Sequence, residues 1–208
     1  RSLVGSEMCI RDRLSIAVKA VGSAVTKGFH PNDENELAGE AKVNNLSVLV
    51  FDESGAQLIG YGWQATNSEG EASILNVPAM TMRAQIVIVS NTPENSLAGV
   101  TSYSDFESKL AQLADQSQSN LVMSSPVITT QAPLVKGDNY LGYASMGSEN
   151  INGIAEPVEI TRLAARLDLV NVKTDFTKTL LRNRTVRVEE VTILNQSTAS
   201  RFFSRDYW

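Results

Sequence analysis

Few side chains in this sequence could do chemistry. His30 is the sole histidine among 208 residues. It stands in a polar stretch beside Pro31, and an imidazole without a positioned nucleophile and acid cannot complete a hydrolytic triad. Cys9 is the sole thiol, and it falls in a segment set aside below, so neither a disulfide frame, nor a Cys-ligated zinc site, nor a thiol nucleophile is expected. No GxSxG, HExxH, Walker-type loop or GxGxxG follows a strand pattern. Carboxylates are plentiful, and a facing pair could hydrolyse a glycosidic bond. Asp52, Glu53, Glu69 and Asp138, however, fall in turn-like stretches where acidic residues serve local turn chemistry. Tyr61 and Trp63 share a strand face, and Tyr140 and Tyr143 lie close in sequence. Such rings could stack a sugar, but strands use the same residues for packing. Asn45, Asn183 and Asn195 begin N-x-S/T triplets, a pattern short enough to arise by chance. The expectation is a protein without catalytic site, cofactor or metal, and not an enzyme.

Charge narrows the partners. The formal net charge is −5 with both signs scattered, and phosphate binding needs clustered Lys and Arg, so nucleic acid is not an expected partner. No run of eighteen apolar residues exists, so no transmembrane segment is expected. At 42% hydrophobic residues the chain can bury a core.

Residues 2–13, SLVGSEMCIRDR, match the translation of a sequencing adaptor codon for codon from Leu3 to Arg13. Residues 1–13 are therefore expected to lie outside the fold, with the natural start of the gene missing. The remainder from Leu14 carries 15 basic and 21 acidic residues, a net charge of −6.

The elements that would position any site are mostly strands. Leu14, Ile16, Val18 and Ala20 alternate with Ser15, Ala17 and Lys19. A loop rich in Gly, Asn and Glu follows from Gly22 to about Gly39. Val43–Phe51 is a second strand, with Leu46, Val48 and Val50 on one face and Ser47, Leu49 and Phe51 on the other. Turns at Asp52–Gly55 and Asn67–Gly70 bound strands at Gln57–Trp63 and Ala72–Val77. Ala84–Val89 is apolar on both faces, as a strand covered on both sides would be. One helix is predicted, capped by Ser104 with Glu107 three residues on. Phe106, Leu110 and Leu113 form its apolar stripe, and it ends near Gln116. Strands resume at Val127–Thr130, Tyr140–Ala144, Val158–Thr174 and Val186–Leu194, the last two with a change of phase that suggests a bulge or a passage between sheets. The predicted class is mostly β: a two-sheet, Greek-key-like β-sandwich with one short α-helix.

Several segments together resemble the N-terminal domain of the major fimbrial subunit family of Bacteroides-type bacteria, whose sandwich is transthyretin-like. They are Lys42–Asp52, Leu121–Pro126, Asn139–Tyr143, Ile160–Leu167 and Val191–Asn195. Their order and spacing, rather than any single motif, carry the resemblance from about Leu14 to Phe203. The resemblance implies that residues 14–208 form one N-terminal domain, with the family's C-terminal domain missing. It implies a structural pilus subunit that polymerises by donor-strand exchange and supports cell adhesion. The partners would be other fimbrial subunits, as a homopolymer or as shaft, tip and anchor, together with a processing protease. The subunit would be exported through periplasm and outer membrane as a lipoprotein precursor to a cell-surface fimbrium.

In that family the first strand is removed by a trypsin-like cut in the following loop. Here the exchangeable strand would present Leu14, Ile16, Val18 and Ala20. No Arg occurs between Leu14 and Met82, and Lys27 is the sole basic residue between Lys19 and Lys42, so the family's processing role falls on the Lys27–Gly28 bond. The competing reading is an outer-membrane glycan-binding β-sandwich that keeps its first strand and exposes a row of aromatic rings.

Overall fold

In the computed structural model of the chain, the structure describes residues 12–21, 38–164, 169, 172–173, 177–178, 180, 184–194 and 196–202. The strands are β1 (Asp12–Val21), β2 (Lys42–Asp52), β3 (Leu58–Glu69), β4 (Glu71–Ala79), β5 (Ala84–Ser90), β6 (Leu110–Gln112), β7 (Met123–Ser124), β8 (Ile128–Thr129), β9 (Asp138–Leu141), β10 (Val158–Arg162) and β11 (Ala199–Arg201). Among the described residues one short α-helix, α1, covers Tyr103–Ser108, and 3-10 turns lie at Leu113–Asp115, Ala144–Glu149 and Ile151–Gly153. A single sheet runs in the order β3-β2-β5-β7-β10-β1-β4, with β8 added to β5 and β9 to β1, while β6 and β11 form a separate two-stranded sheet. The expected pair of facing sheets is therefore one sheet curled over on itself, with the small sheet outside it.

Glycine lets the curl close. β3 and β4 stand at opposite ends of the ladder order, yet they follow one another in sequence. Gly60 and Gly62 pair with Val50 and Val48 of β2 and face the same core. A Cβ on Gly62 would stand 2.8 Å from Val77 Cγ2, and one on Gly60 would collide with the Pro78 carbonyl oxygen. Side chains at these two positions would hold the ends of the sheet apart.

Two apolar clusters flank the central strands. Inside the curl, Leu14, Ile16 and Val18 of β1 meet Leu46, Val48 and Val50 of β2, Ile74 and Val77 of β4, Ile86 and Ile88 of β5, and Ile160 of β10. On the outer face, Leu49, Phe51, Val87 and Val89 pack with Leu97, Val100, Phe106, Ala111 and Phe202. β5 is thus buried on both faces, as its residues predict, and so is β2. The rings of Phe106 and Phe202 stack with centroids 5.9 Å apart. An ion pair from Arg162 Nη1 to Glu40 Oε2, 2.9 Å, ties the end of β10 to the turn before β2.

Four sequence expectations need correction. Asp12 and Arg13, assigned to the segment outside the fold, are the first two residues of β1, because Asp12 pairs with Ala79 and Arg13 with Pro78 and Asp138. The helix is capped by Ser102, whose Oγ accepts from the Asp105 N–H at 3.1 Å, and it ends at Ser108. The stripe through Leu110 and Leu113 does not form. Leu110 is half exposed in β6, because pairing with β11 holds 110–112 extended and turns Ala111 inward. Of the strand expected at Val158–Thr174, β10 covers Val158–Arg162, Leu163 bonds through its N–H to the Val122 carbonyl (3.0 Å) and packs on the outer cluster, and residues 165–168, 170–171 and 174 lie outside the described residues. Val186–Leu194 belongs to no ladder. Val186, Val188, Val191 and Ile193 stay exposed because no described strand lies beside them.

Candidate functional site: the seat of the first strand

β1 runs through the interior of the sheet with ladders on both sides. Along one side it is antiparallel to β4, with Leu14 opposite Val77, Ile16 opposite Ile74 and Val18 opposite Ala72. Along the other it is parallel to two strands in succession. β9 pairs with Arg13–Ile16 and β10 with Val18–Val21. Gly142 fills the gap between them. It has φ +84°, and a Cβ there would stand 2.7 Å from the Ala17 carbonyl oxygen, so a larger residue would push β9 off the strand.

The period of two brings Leu14, Ile16 and Val18 to one face, where each has no exposed surface, while Ala20 is half-buried at the rim of the same cluster and Lys19 is exposed. β4 needs a bulge to match them. Between Leu14 and Ile16 lies one residue, but between Val77 and Ile74 lie two, and Asn76 takes φ +58°. The extra residue lets side chains three apart both point inward. Lys19 has Glu71 on one neighbouring strand and Glu159 on the other as register partners, an alternation of charge that suits a solvent face.

The head of β1 is held by a polar cluster. Asp12 is buried, its Oδ2 accepting from the Thr81 hydroxyl at 2.6 Å and its Oδ1 from the Gly137 N–H at 3.0 Å. These bonds, the Thr81 hydroxyl foremost, together with the charge of Lys136, hold the Asp12 carboxyl below its ordinary value against the opposing effect of burial. The Arg13 N–H donates to the Gly137 carbonyl at 2.8 Å. Asn139, also buried, donates from Nδ2 to the Arg13 carbonyl (3.2 Å) and to the Val135 and Gly137 carbonyls, and accepts at Oδ1 from the Val135 N–H (2.8 Å). At the tail, the Ala20 N–H donates to the Gly70 carbonyl at 2.7 Å.

The other candidates do not assemble into a site. Lys27, Gly28 and His30 lie outside the described residues. Asp52 is occupied by its own turn, accepting from Ser54 Oγ and the Gln57 N–H, and Glu53 pairs with Arg83 at 3.1 Å. Among the described residues no group of three His, Cys, Asp or Glu is placed to hold a metal ion. No described helix is long and apolar enough to cross a membrane. Tyr61 packs on the outer cluster, where burial raises its phenol above the usual tyrosine value while the Ser47 hydroxyl acts the other way. Tyr143 is shifted likewise by burial and meets Tyr140 edge to face, centroids 5.9 Å apart. The seat residues that sequence reasoning missed are Asp12, Thr81, Asn139 and Gly142. Asp12 was hidden in the segment set aside, Thr81 and Gly142 meet partners remote in sequence, and the local bonds of Asn139 to Val135 and Gly137 read as those of an ordinary turn.

Comparison with known proteins gives the family. Residues 13–162 match the model for the major fimbrial subunit protein (FimA), so the chain belongs to that family, one of structural subunits and not of enzymes. Residues 163–208 match the model for the C-terminal domain of Fim1C-like fimbrium tip subunits. The two matches meet where β10 ends.

Among curated relatives, a Parabacteroides distasonis protein provisionally named fimbrium tip subunit Fim1C is 48% identical over 198 residues, covering 94% of this chain and 52% of its own length. A major fimbrium subunit FimA type-2 of Porphyromonas gingivalis is 27% identical over 186 residues, covering 87% of this chain and 45% of its own. A crystal structure from Parabacteroides distasonis, provisionally described as a cell adhesion protein, superposes with a TM-score of 0.85 at 47% identity over 91% of this chain and 57% of its own. The chain spans about half the length of the curated relatives it matches.

Proposed function

We propose that this chain is the N-terminal part of a fimbrial subunit that polymerises by donor-strand exchange at the cell surface and supports cell adhesion. Its place would be at the fimbrium tip, because it is far more like the relative named for the tip than the one named as major subunit. The sandwich ends at about Arg162, and 163–208 opens a second domain. The exposed Val186, Val188, Val191 and Ile193 would be covered by strands of that domain, and the partners would be other fimbrial subunits. Export would run through periplasm and outer membrane from a lipoprotein precursor, and a protease cutting at Lys27–Gly28 would free the first strand.

One observation carries this reading: β1 is an interior strand. Removing it would leave two unpaired ladder edges, β4 on one side and β9 with β10 on the other, above an apolar floor. A strand that refills this groove regains both ladders and buries three or four side chains at about 1.5–3 kcal/mol each. An edge strand would offer only one ladder. The sixteen residues 22–37 give ample length for a protease to bind the chain extended.

Locking the strand tests the proposal. Ala17 and Ser73 are register partners across β1 and β4, close enough for a disulfide when both become cysteine. In the full-length gene product, with Cys9 absent or replaced by serine, the oxidised Ala17→Cys, Ser73→Cys form should stay monomeric after processing and polymerise once reduced. Equal polymerisation in both redox states would refute exchange of β1.

A further inference from the structure

The groove described above would have to select its strand, and its head carries the means to do so. We infer that the seat takes a strand headed by a carboxylate: an extended segment of a neighbouring subunit, running in the direction of β1. Its acidic residue would lie opposite Ala79, with Leu-, Ile- or Val-sized side chains two, four and six positions further on. This rests on the donor-strand reading and adds the chemistry of the partner.

The groups that receive the Asp12 carboxylate belong to the body and not to β1. They are the Thr81 hydroxyl, the Gly137 N–H and, by its charge, Lys136. They would remain when β1 leaves. The Gly137 turn has bonds of its own besides those to Arg13, since Asn139 bridges it through the Val135 N–H and the Val135 and Gly137 carbonyls. Gly137 takes φ +96°, a conformation that a residue with a Cβ rarely adopts. On the other side Thr81 sits in the turn between β4 and β5, where the Met82 N–H donates to the Met80 carbonyl and the Met82 carbonyl accepts from the Leu134 N–H. Asp12 lies in the stretch that matches a sequencing adaptor, yet the receptor for its carboxylate is built entirely from residues 81 and 136–139.

Both oxygens of Asp12 are used and the residue is only 7% exposed. An apolar side chain at that position would leave the Gly137 N–H without its acceptor, and a carboxamide could meet both groups only with the Thr81 hydroxyl turned to accept, and without the charge that faces Lys136. Polarity follows from the same cluster. A strand entering in reverse would bring its tail to Thr81 and exchange the antiparallel ladder with β4 for a parallel one. The Asn139 bond to the Arg13 carbonyl would also lose its register.

The test uses the full-length protein cut after Lys27, incubated with labelled peptides copying residues 12–21. Three forms are compared: the unaltered peptide, Asp12→Ala and Asp12→Asn. The unaltered peptide should be retained at least about tenfold better than Asp12→Ala, since bonds to charged groups are the stronger kind. Thr81→Val in the body should remove most of that difference while leaving Asp12→Ala binding unchanged. Equal retention of the three peptides would overturn the inference and leave strand exchange standing. If no peptide enters, strand exchange itself fails, and this inference fails with it. In the uncut chain, a double-mutant cycle of Asp12→Ala with Thr81→Val should show coupled losses of stability. Additive losses would overturn the carboxylate receptor whatever the peptides do.

Discussion

Replacing Phe202 with alanine tests whether the second matched region helps to hold the first together. Phe202 lies 40 residues beyond the end of β10, yet it is only 7% exposed and stacks on Phe106 in the outer cluster. β11 brings it there by pairing with β6, and the Leu113 N–H extends the contact to the Thr198 carbonyl at 2.8 Å. Phe→Ala in a packed core costs about 3–5 kcal/mol. Here β11 is a three-residue strand at the margin and can relax into the space, so the lower figure, about 3 kcal/mol, applies. With a urea dependence of roughly 3 kcal/mol per molar for a domain of this size, the midpoint should fall by about 1 M. The assay is urea unfolding of the full chain followed by fluorescence, with Phe202→Leu as a control that keeps most of the apolar volume and should lose far less. A midpoint shift under about 0.2 M for Phe202→Ala would show that the outer cluster does not need residue 202, and would refute the account of β6 and β11.

Three further outcomes can be checked in the same way. Ile16→Ala removes a side chain with no exposed surface from the middle of β1 and should cost about 2–5 kcal/mol in chemical unfolding; a loss near zero would mean that β1 does not contribute to the core. Gly60→Ala should destabilise more than Gly62→Ala, because the first meets the Pro78 carbonyl oxygen and the second a Val77 side chain that can shift; the reverse order in thermal melts would contradict the close approach of β3 and β4. The Asp12 carboxyl is held below its ordinary value by the Thr81 hydroxyl, the Gly137 N–H and Lys136. The unfolded chain therefore binds more protons in that range, and the contribution to stability is full above the unfolded value and fades as pH falls through the folded one. Asp12→Asn should flatten the acid limb of stability against pH, as followed by melting temperature, and an unchanged limb would remove Asp12 from the account.

What could be read from sequence and what could not separate along physical lines. β5 was legible on both faces, because Ala84–Val89 is apolar in both phases, and the two faces of Leu46–Phe51 in β2 were legible as sets of residues. Leu14, Ile16 and Val18 were legible as a buried face for the same reason. The position of β1 inside the sheet was not, since β9 and β10 lie more than a hundred residues away and parallel pairing leaves no local trace. The bulge at Asn76 hid the true face of Val77, because one extra residue inverts the phase. The helix was over-extended because Phe106, Leu110 and Leu113 carry a valid helical stripe, and only the remote β11 overrides it. Val186–Leu194 alternates as a strand does, but alternation states a need for a partner and does not supply one. The head of the seat was missed because Asp12 fell in a segment excluded on other grounds, while Thr81 and Asn139 look like ordinary turn residues.

The central claim is that the first strand can leave its seat and that another strand takes it. The most direct measurement is cleavage of the full-length gene product at Lys27 by a Lys-specific protease, followed by size analysis. The account predicts that cut protein assembles into oligomers while uncut protein stays monomeric. It also predicts that a donor peptide carrying Asp in place of Ile16 and Val18 fails to block that assembly, whereas the unaltered peptide blocks it. A cut protein that stays monomeric with no loss of stability would contradict the account.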